Sequence, residues 1–137
     1  MTQSPRLTLY CDGASRGNPG PSAIGAVLYD ETNGIVAEIS RAIGVQTNNF
    51  AEYSALLAGL EEALKREARE IDIRMDSELA IKQLQGVYRV KNANLRPLYE
   101  KAKTLLARFT AHGLQHVPRA ENKKADALAN EALDRAR

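Results

Sequence analysis

The chain has 137 residues, is 44% hydrophobic and 26% charged, and carries a formal net charge of +2. That size suits one domain, residues 1–137, with one buried core, and the balance is that of an ordinary globular protein. No apolar run approaches the length of a membrane span, no charged-then-apolar leader opens the chain, and a single cysteine excludes an intramolecular disulfide, so we expect a cytoplasmic protein.

Arg6 to Asp12 reads as a strand, followed by the Gly/Pro-rich turn GASRGNPGP. Two more strand candidates, Ala23–Tyr29 and Ile35–Ile43, are joined by DETNG, whose Asn33-Gly34 pair is a strong hairpin signal. The first three segments should therefore form an antiparallel meander. Asn48 to Glu67 reads as a helix: Phe50, Tyr53, Leu56, Leu57, Leu60 and Leu64 recur at helical spacing, behind Thr47 or Asn48 as N-cap. Ile71–Asp76 is the fourth strand, with Ile71, Ile73 and Met75 alternating against charges. Ser77 caps a short helix to about Leu84, and Gly86–Asn94 is irregular. The pattern then predicts a helix over Leu95–His112, stopped by Gly113, a short fifth strand Leu114–Val117, and a last helix from Asn122 or Lys123. The expected fold is α/β: a mixed five-stranded sheet, three antiparallel strands first and parallel strands after, flanked by helices.

Four carboxylates stand where apolar segments meet a turn or a helix: Asp12, Glu52, Asp76 and Asp126. Asp12 and Asp76 close strands that should lie parallel, which puts both at one edge of the sheet, where ligands gather in such folds. If all four converge, like charges crowd one site, and that is costly unless cations occupy it. Oxygen donors without Cys and with few His point to Mg²⁺ or Mn²⁺. Without those four acids the remaining charge is +6, nineteen basic against thirteen acidic residues. Between Leu79 and Ala120 lie Lys82, Arg89, Lys91, Arg96, Lys101, Lys103, Arg108 and Arg119, against one acid, Glu100. A basic stretch beside an acidic metal site suits a polyanion whose phosphate reacts, although a charge run by itself is usually a solvated face.

Each motif also has a bland reading. In DGASRGNPGP the Asp-Gly and Asn-Pro-Gly pieces are common turn formers, while Ser15 and Asn18 could meet a sugar hydroxyl or a base edge. In TNNFAEY, Glu52 is either an exposed helix acid or a site residue awkwardly near the apolar stripe; the asparagines stand beside exposed helix N–H groups, a favourable place for phosphate. Asp76, in RMDSE, could be a helix cap, and Asp126, in ENKKADALAN, a first-turn acid favoured by the helix dipole. Cys11 reads as core, His112 as a helix C-terminal residue and His116 as a structural residue of the last strand.

Together and in order, DGASRGNPGP, TNNFAEY, MDSE and ENKKADALAN resemble the ribonuclease H type 1 family, from about Arg6 to Ala132. The resemblance implies a ribonuclease H-like fold and an endonuclease that hydrolyses the RNA strand of RNA/DNA hybrids by two-metal-ion catalysis, leaving 5′-phosphate and 3′-hydroxyl ends. It implies that Asp12, Glu52, Asp76 and Asp126 hold two Mg²⁺ ions, with Mn²⁺ a substitute and Asp12 bridging. Gly13, Asn18, Asn48 and Asn49, with Ser15 and Glu78, match positions that contact the hybrid, largely in its minor groove. Thr47 matches a residue near a DNA-strand phosphate, and Asn92 another phosphate contact.

The chain departs from the family pattern twice. Many members carry a mobile histidine between the last strand and last helix. Here His116 aligns with the strand, and Arg119 is the only cation in the shortened loop, which gives Arg119 a role with the departing phosphate. Some members also carry a basic, tryptophan-containing protrusion after the second helix; this chain has a short segment there and no Trp, so Lys82–Arg108 is the candidate source of hybrid affinity. We expect a monomer that binds RNA/DNA hybrid and no membrane. The rivals are a hybrid-binding module with little catalysis, a related nuclease such as a junction resolvase or exonuclease, and a small flavodoxin-like binder, against which the early hairpin counts.

Overall fold

The computed structural model describes residues 6–136; Met1–Pro5 and Arg137, which the single-domain reading includes, lie outside them. Its elements are β1 (Arg6–Ser15), β2 (Gly20–Tyr29), β3 (Ile35–Gln46), α1 (Asn48–Lys65), β4 (Glu70–Met75), α2 (Glu78–Leu84), α3 (Arg96–Leu106), β5 (Ala111–His116), a 3₁₀ turn (Arg119–Glu121) and α4 (Lys123–Arg135). The five strands make one sheet in the order β3-β2-β1-β4-β5. The β1–β2 and β2–β3 pairs are antiparallel, and β1–β4 and β4–β5 are parallel, as the hairpin signal and the later helical connections lead one to expect.

One side of the sheet carries the main core. Leu7, Leu9 and Cys11 of β1 and Ile71, Ile73 and Met75 of β4 are buried there with Tyr53, Leu56 and Leu60 of α1. α3 closes this layer with Ala102, Leu105 and Leu106. On the other side α4 packs across β2, β3 and β1, with a smaller cluster of Ala23, Ala132 and Leu133. Thr47 caps α1, its Oγ1 accepting from Phe50 N at 3.2 Å, and Ser77 caps α2 by accepting from Ala80 N at 3.2 Å. No described helix is long and apolar enough to cross a membrane.

Three expectations need correction. β1 does not close at Asp12: Gly13, Ala14 and Ser15 go on pairing with Ile24, Ala23 and Ser22, so the first part of the expected turn is strand. α1 ends at Lys65 rather than Glu67, because Glu67 turns to φ 62° and the Ala68 N–H closes back on the Ala63 carbonyl at 3.1 Å. The third is larger. α3 stops at Leu106, not His112, and β5 begins at Ala111, three residues before the expected strand. The Thr110 N–H and hydroxyl both donate to the Arg69 carbonyl, at 2.7 and 2.9 Å, and launch β5 alongside β4. Gly113 is therefore a strand residue opposite Asp72, and a methyl there would stand 2.8 Å from Asp72 Oδ1. His112 lies exposed in β5, opposite Ile71, and caps no helix.

Candidate active site

Parallel pairing of β1 with β4 ends at Tyr10–Arg74, and β1 then runs on beside β2 alone. Asp12 stands just beyond that point, opposite Gly25, and Asp76 is the first residue after β4. The two carboxylates thus share the opening left where β4 peels away. α1 brings Glu52 to the same place by lying hard against β1. A methyl on Gly13 would stand 2.3 Å from the Ala51 carbonyl carbon and 2.4 Å from Glu52 N, so the close approach leaves no room for a side chain. The Gly13 N–H in turn donates to Glu52 Oε1 at 3.1 Å.

Asp12, Glu52 and Asp76 each offer an oxygen, and these oxygens all lie within 4.8 Å of one another. Asp126, in the first turn of α4, stands outside that tight group but lines the same cleft, about 290 Å³, together with Asn48, Arg119 and Asn130. Asn130 Nδ2 donates to the Asp126 carbonyl at 3.0 Å and to its Oδ1 at 3.3 Å.

The electrostatic consequence is large. Burial, and then the charges of Glu52 and Asp76, push the Asp12 carboxyl up to about 9. Burial and the Asp76 charge push Glu52 up to about 8, against the lowering effect of the Gly13 N–H. Cys11, wholly buried beneath the same acids, is also pushed up, first by burial and then by Glu52, which keeps it a thiol. Such a group fits a hard divalent cation: the donors are carboxylate oxygens, and crowding and burial suppress the charge of Asp12 and Glu52 at neutral pH, a cost that a cation would relieve.

The remaining candidates are distributed around this floor. Asn18 Oδ1 accepts from Asn48 N at 3.1 Å, joining the Gly/Pro turn to the start of α1, where Thr47, Asn48 and Asn49 are exposed. The Ser15 hydroxyl turns inward, bonding to the carbonyls of Gly17 and Gln46 and accepting from Ser22 Oγ at 2.9 Å. Glu78 is exposed at the start of α2, 3.9 Å from Lys82. Asn92 lies further off; its Oδ1 accepts from Asn94 N at 2.7 Å and Leu95 N at 3.3 Å, a local turn leading into α3. Arg119 is 81% exposed, with Nη2 3.9 Å from Asp126 Oδ1. His116 ends β5 opposite Met75, exposed and outside the residues that line the cleft.

The basic stretch divides. Lys82 and Lys101 face acids (Glu78 and Glu61), whereas Arg89 and Lys91 line an open groove with Tyr88 and Tyr99 between α2 and α3; Arg96 does both, lining the groove and lying 3.7 Å from Glu100. Two buried polar residues near the site carry contacts that the sequence reading did not foresee. Tyr53 donates to Gln83 Oε1 at 2.7 Å, tying α1 to α2. Asn122, read only as a helix start, donates to the Cys11 carbonyl at 3.0 Å. Tyr53 was hidden in an apolar stripe, and no local signal marks contacts as distant as Asn122 to Cys11.

A family model described as "Reverse transcriptase-like" matches residues 10–132. The chain is 51% identical to Ribonuclease HI of Halobacterium salinarum over 94% of its own length and 65% of that protein's. It is 44% identical to Bifunctional protein Rv2228c of Mycobacterium tuberculosis, of which it spans 36%. The crystal structure of the Halobacterium RNase H1 superimposes with a TM-score of 0.92, covering 94% of this chain and 98% of that one. LC11-RNase H1, solved in complex with RNA/DNA hybrid, gives a TM-score of 0.89 at 41% identity, covering 95% and 98% of the two chains. Sheet order, the carboxylates at the parted strands and these likenesses agree: the chain belongs to the ribonuclease H type 1 family.

Proposed function

We propose that the chain is an endoribonuclease that hydrolyses the RNA strand of RNA/DNA hybrids with two Mg²⁺ ions, for which Mn²⁺ can substitute, and leaves 5′-phosphate and 3′-hydroxyl ends. The observation that carries this reading is the convergence of Asp12, Glu52 and Asp76, from three separate elements, on one half-buried point. Asp12, Glu52, Asp76 and Asp126 would hold the ions, with Asp12 shared because its carboxyl feels all three of the others. When bound, such ions lower the pKa of an attacking water and offset charge on the leaving oxygen.

The chain's own residues do the rest. Asn18, Thr47, Asn48 and Asn49 form a polar, exposed rim beside the cleft, suited to sugar hydroxyls and phosphates at the start of α1. Glu78, exposed at the start of α2 two residues after Asp76, would offer a further polar contact. Gly13 and Ser15 shape its backbone, one by close packing and the other by inward hydrogen bonds. Reading the 2′-hydroxyl there is how RNA would be told from DNA. Asn92 and the groove of Arg89, Lys91 and Arg96 supply a second, electrostatic anchor for the hybrid backbone. Arg119, exposed at the mouth of the cleft, accompanies the departing phosphate. The hybrid complex of LC11-RNase H1 supports the choice of substrate. We place the protein in the cytoplasm as a monomer, consistent with one buried thiol.

The test is cleavage of end-labelled hybrid, duplex DNA and duplex RNA with Mg²⁺, with EDTA as control. Cleavage of the hybrid's RNA strand alone, abolished by EDTA and by Asp12→Asn in a folded variant, is expected. Wild-type-like turnover by Asp12→Asn, or no preference among the three duplexes, refutes the reading.

A further inference from the structure

Asn122 is 1% exposed, at the point where the 3₁₀ turn ends and α4 begins. Its main-chain carbonyl accepts from Asp126 N at 3.1 Å and so opens the helix that carries the fourth acid. Its side-chain Nδ2 donates to the Cys11 carbonyl, one residue before Asp12, at 3.0 Å, and to Asp76 Oδ1 at 3.4 Å. One buried residue therefore touches the strand that bears Asp12 and the carboxylate of Asp76 through its side chain, and the turn that bears Asp126 through its main chain. The amide's orientation is dictated by its side-chain partners. Both are acceptors, so a reversed amide would set oxygen against oxygen twice. The outcome is that Asn122 Oδ1 stays buried without a partner. The amide is thus held for its donors at the expense of its own acceptor, which a residue serving only to cap a helix would not require.

We propose that Asn122 is a positioning residue: it holds one oxygen of Asp76 and fixes α4 against β1, so that Asp76 presents its other oxygen to a cation beside Asp12. This rests on the reading of Asp76 as a metal ligand. Outer partners of ligating carboxylates commonly govern affinity as strongly as this, by about 10–100-fold. The Asn122 side chain makes no capping hydrogen bond to α4, so shortening it tests the bridge. Asn122→Ser keeps a good helix-capping residue but is too short to span both acceptors. Asn122→Ala removes the bridge altogether.

The experiment is isothermal titration calorimetry of Mn²⁺ into the folded full-length protein, with thermal melts in EDTA alongside. Asn122→Ser is expected to bind Mn²⁺ about tenfold or more weakly than wild type while its fold survives. In an Asp76→Asn background, the same change is expected to add little further loss. Wild-type Mn²⁺ affinity in a folded Asn122→Ser or Asn122→Ala variant overturns the proposal and leaves Asn122 a structural residue. A loss of equal size with and without Asp76 also overturns it, since the effect would then bypass that carboxylate. Asp76→Asn alone tests the underlying reading: unchanged Mn²⁺ affinity there removes Asp76 from the site, whatever Asn122 does. If neither Asn122 variant folds, the amide is required for folding itself, and a separate positioning role is refuted.

Discussion

Replacing Asp12 by Asn should stabilise the metal-free protein, and the size of the gain follows from the crowded charges. The Asp12 carboxyl is 5% exposed and is pushed from the usual 3.8 up to about 9 in the fold. Between those values the native chain holds a proton that the unfolded chain has released. Stability must then fall as pH rises through that window, by up to about 1.4 kcal/mol per pH unit for each such proton. Glu52, pushed up to about 8, adds a second contribution of the same sign over a slightly narrower range. Three pH units separate the ordinary Asp value from neutrality, so the upper bound for Asp12 at pH 7 is about 4 kcal/mol. Relaxation and water entry reduce this, and we expect Asp12→Asn to gain about 2 kcal/mol in EDTA, which is roughly 6 °C in Tm for a domain of this size.

The assay is urea and thermal unfolding of wild type and Asp12→Asn in EDTA from about pH 5 to about pH 9, repeated with excess Mg²⁺. Wild type should lose stability as pH rises and the variant should lose less, so the gap widens with pH. Added Mg²⁺ should narrow or reverse the gap, because a bound ion stabilises only the chain that binds it. A variant less stable than wild type in EDTA at high pH, or a gap independent of pH, would show that the carboxylates do not strain the fold.

Three further outcomes check separate parts of the reading. Arg119→Ala should lower turnover more than hybrid affinity, measured by steady-state kinetics and by binding in Ca²⁺; equal losses would make Arg119 a binding residue. His116→Ala should leave turnover nearly intact, since His116 lies exposed at the end of β5 and outside the residues lining the cleft; a large drop without unfolding would restore it as the family's loop histidine. Gly13→Ala inserts a methyl 2.3 Å from the Ala51 carbonyl carbon, and should cost about 1–3 kcal/mol by denaturant melts while weakening Mn²⁺ binding through displacement of Glu52; unchanged stability and affinity would mean that α1 yields freely.

Most of the sheet was legible because local chemistry and global topology agree in its first half. The β2–β3 hairpin that the Asn33-Gly34 pair signals is present, but as a loop over residues 30–34 in which only Asn33 turns to positive φ, 67°, and Asp30 Oδ1 accepts from the Thr32 and Gly34 N–H groups at 2.9 Å. That Asp12, Glu52 and Asp76 would come together was legible through the motifs around them. The α3–β5 boundary was not. Phe109 falls on the helical period of Leu98, Ala102 and Leu105, and it is buried, so periodicity alone carries the helix too far. β5 is an edge strand of sequence AHGLQH, without β-branched residues and with no alternation in burial. What makes it a strand is the partner it finds in β4, which no local window contains. Gly113 misled for the same reason: its small size serves the approach of Asp72, 41 residues away, and not a helix end. Asn122 was invisible as a site residue because its contacts reach Cys11 and Asp76, 111 and 46 positions off.

Asp12, Glu52 and Asp76 repel one another and would drift apart on flexible elements, but the elements that carry them are fixed before any cation arrives. Asp12 is carried on the central strand, between β2 and β4 and over wholly buried Leu9 and Cys11. Glu52 cannot retreat, because α1 is seated on β1 at Gly13 and tied to α2 by the buried Tyr53–Gln83 bond. Asp76 follows a strand whose Ile71, Ile73 and Met75 are completely buried, so its main chain is fixed up to the preceding residue. Packing thus opposes repulsion at every anchor, and the protonation of Asp12 and Glu52 is the means by which the metal-free protein relieves what remains. A divalent ion held by Asp12, Glu52 and Asp76 would displace those protons, with the backbone already in place. That makes metal binding pH-dependent but structurally inexpensive, the condition under which a catalytic geometry can be ready in advance of its substrate.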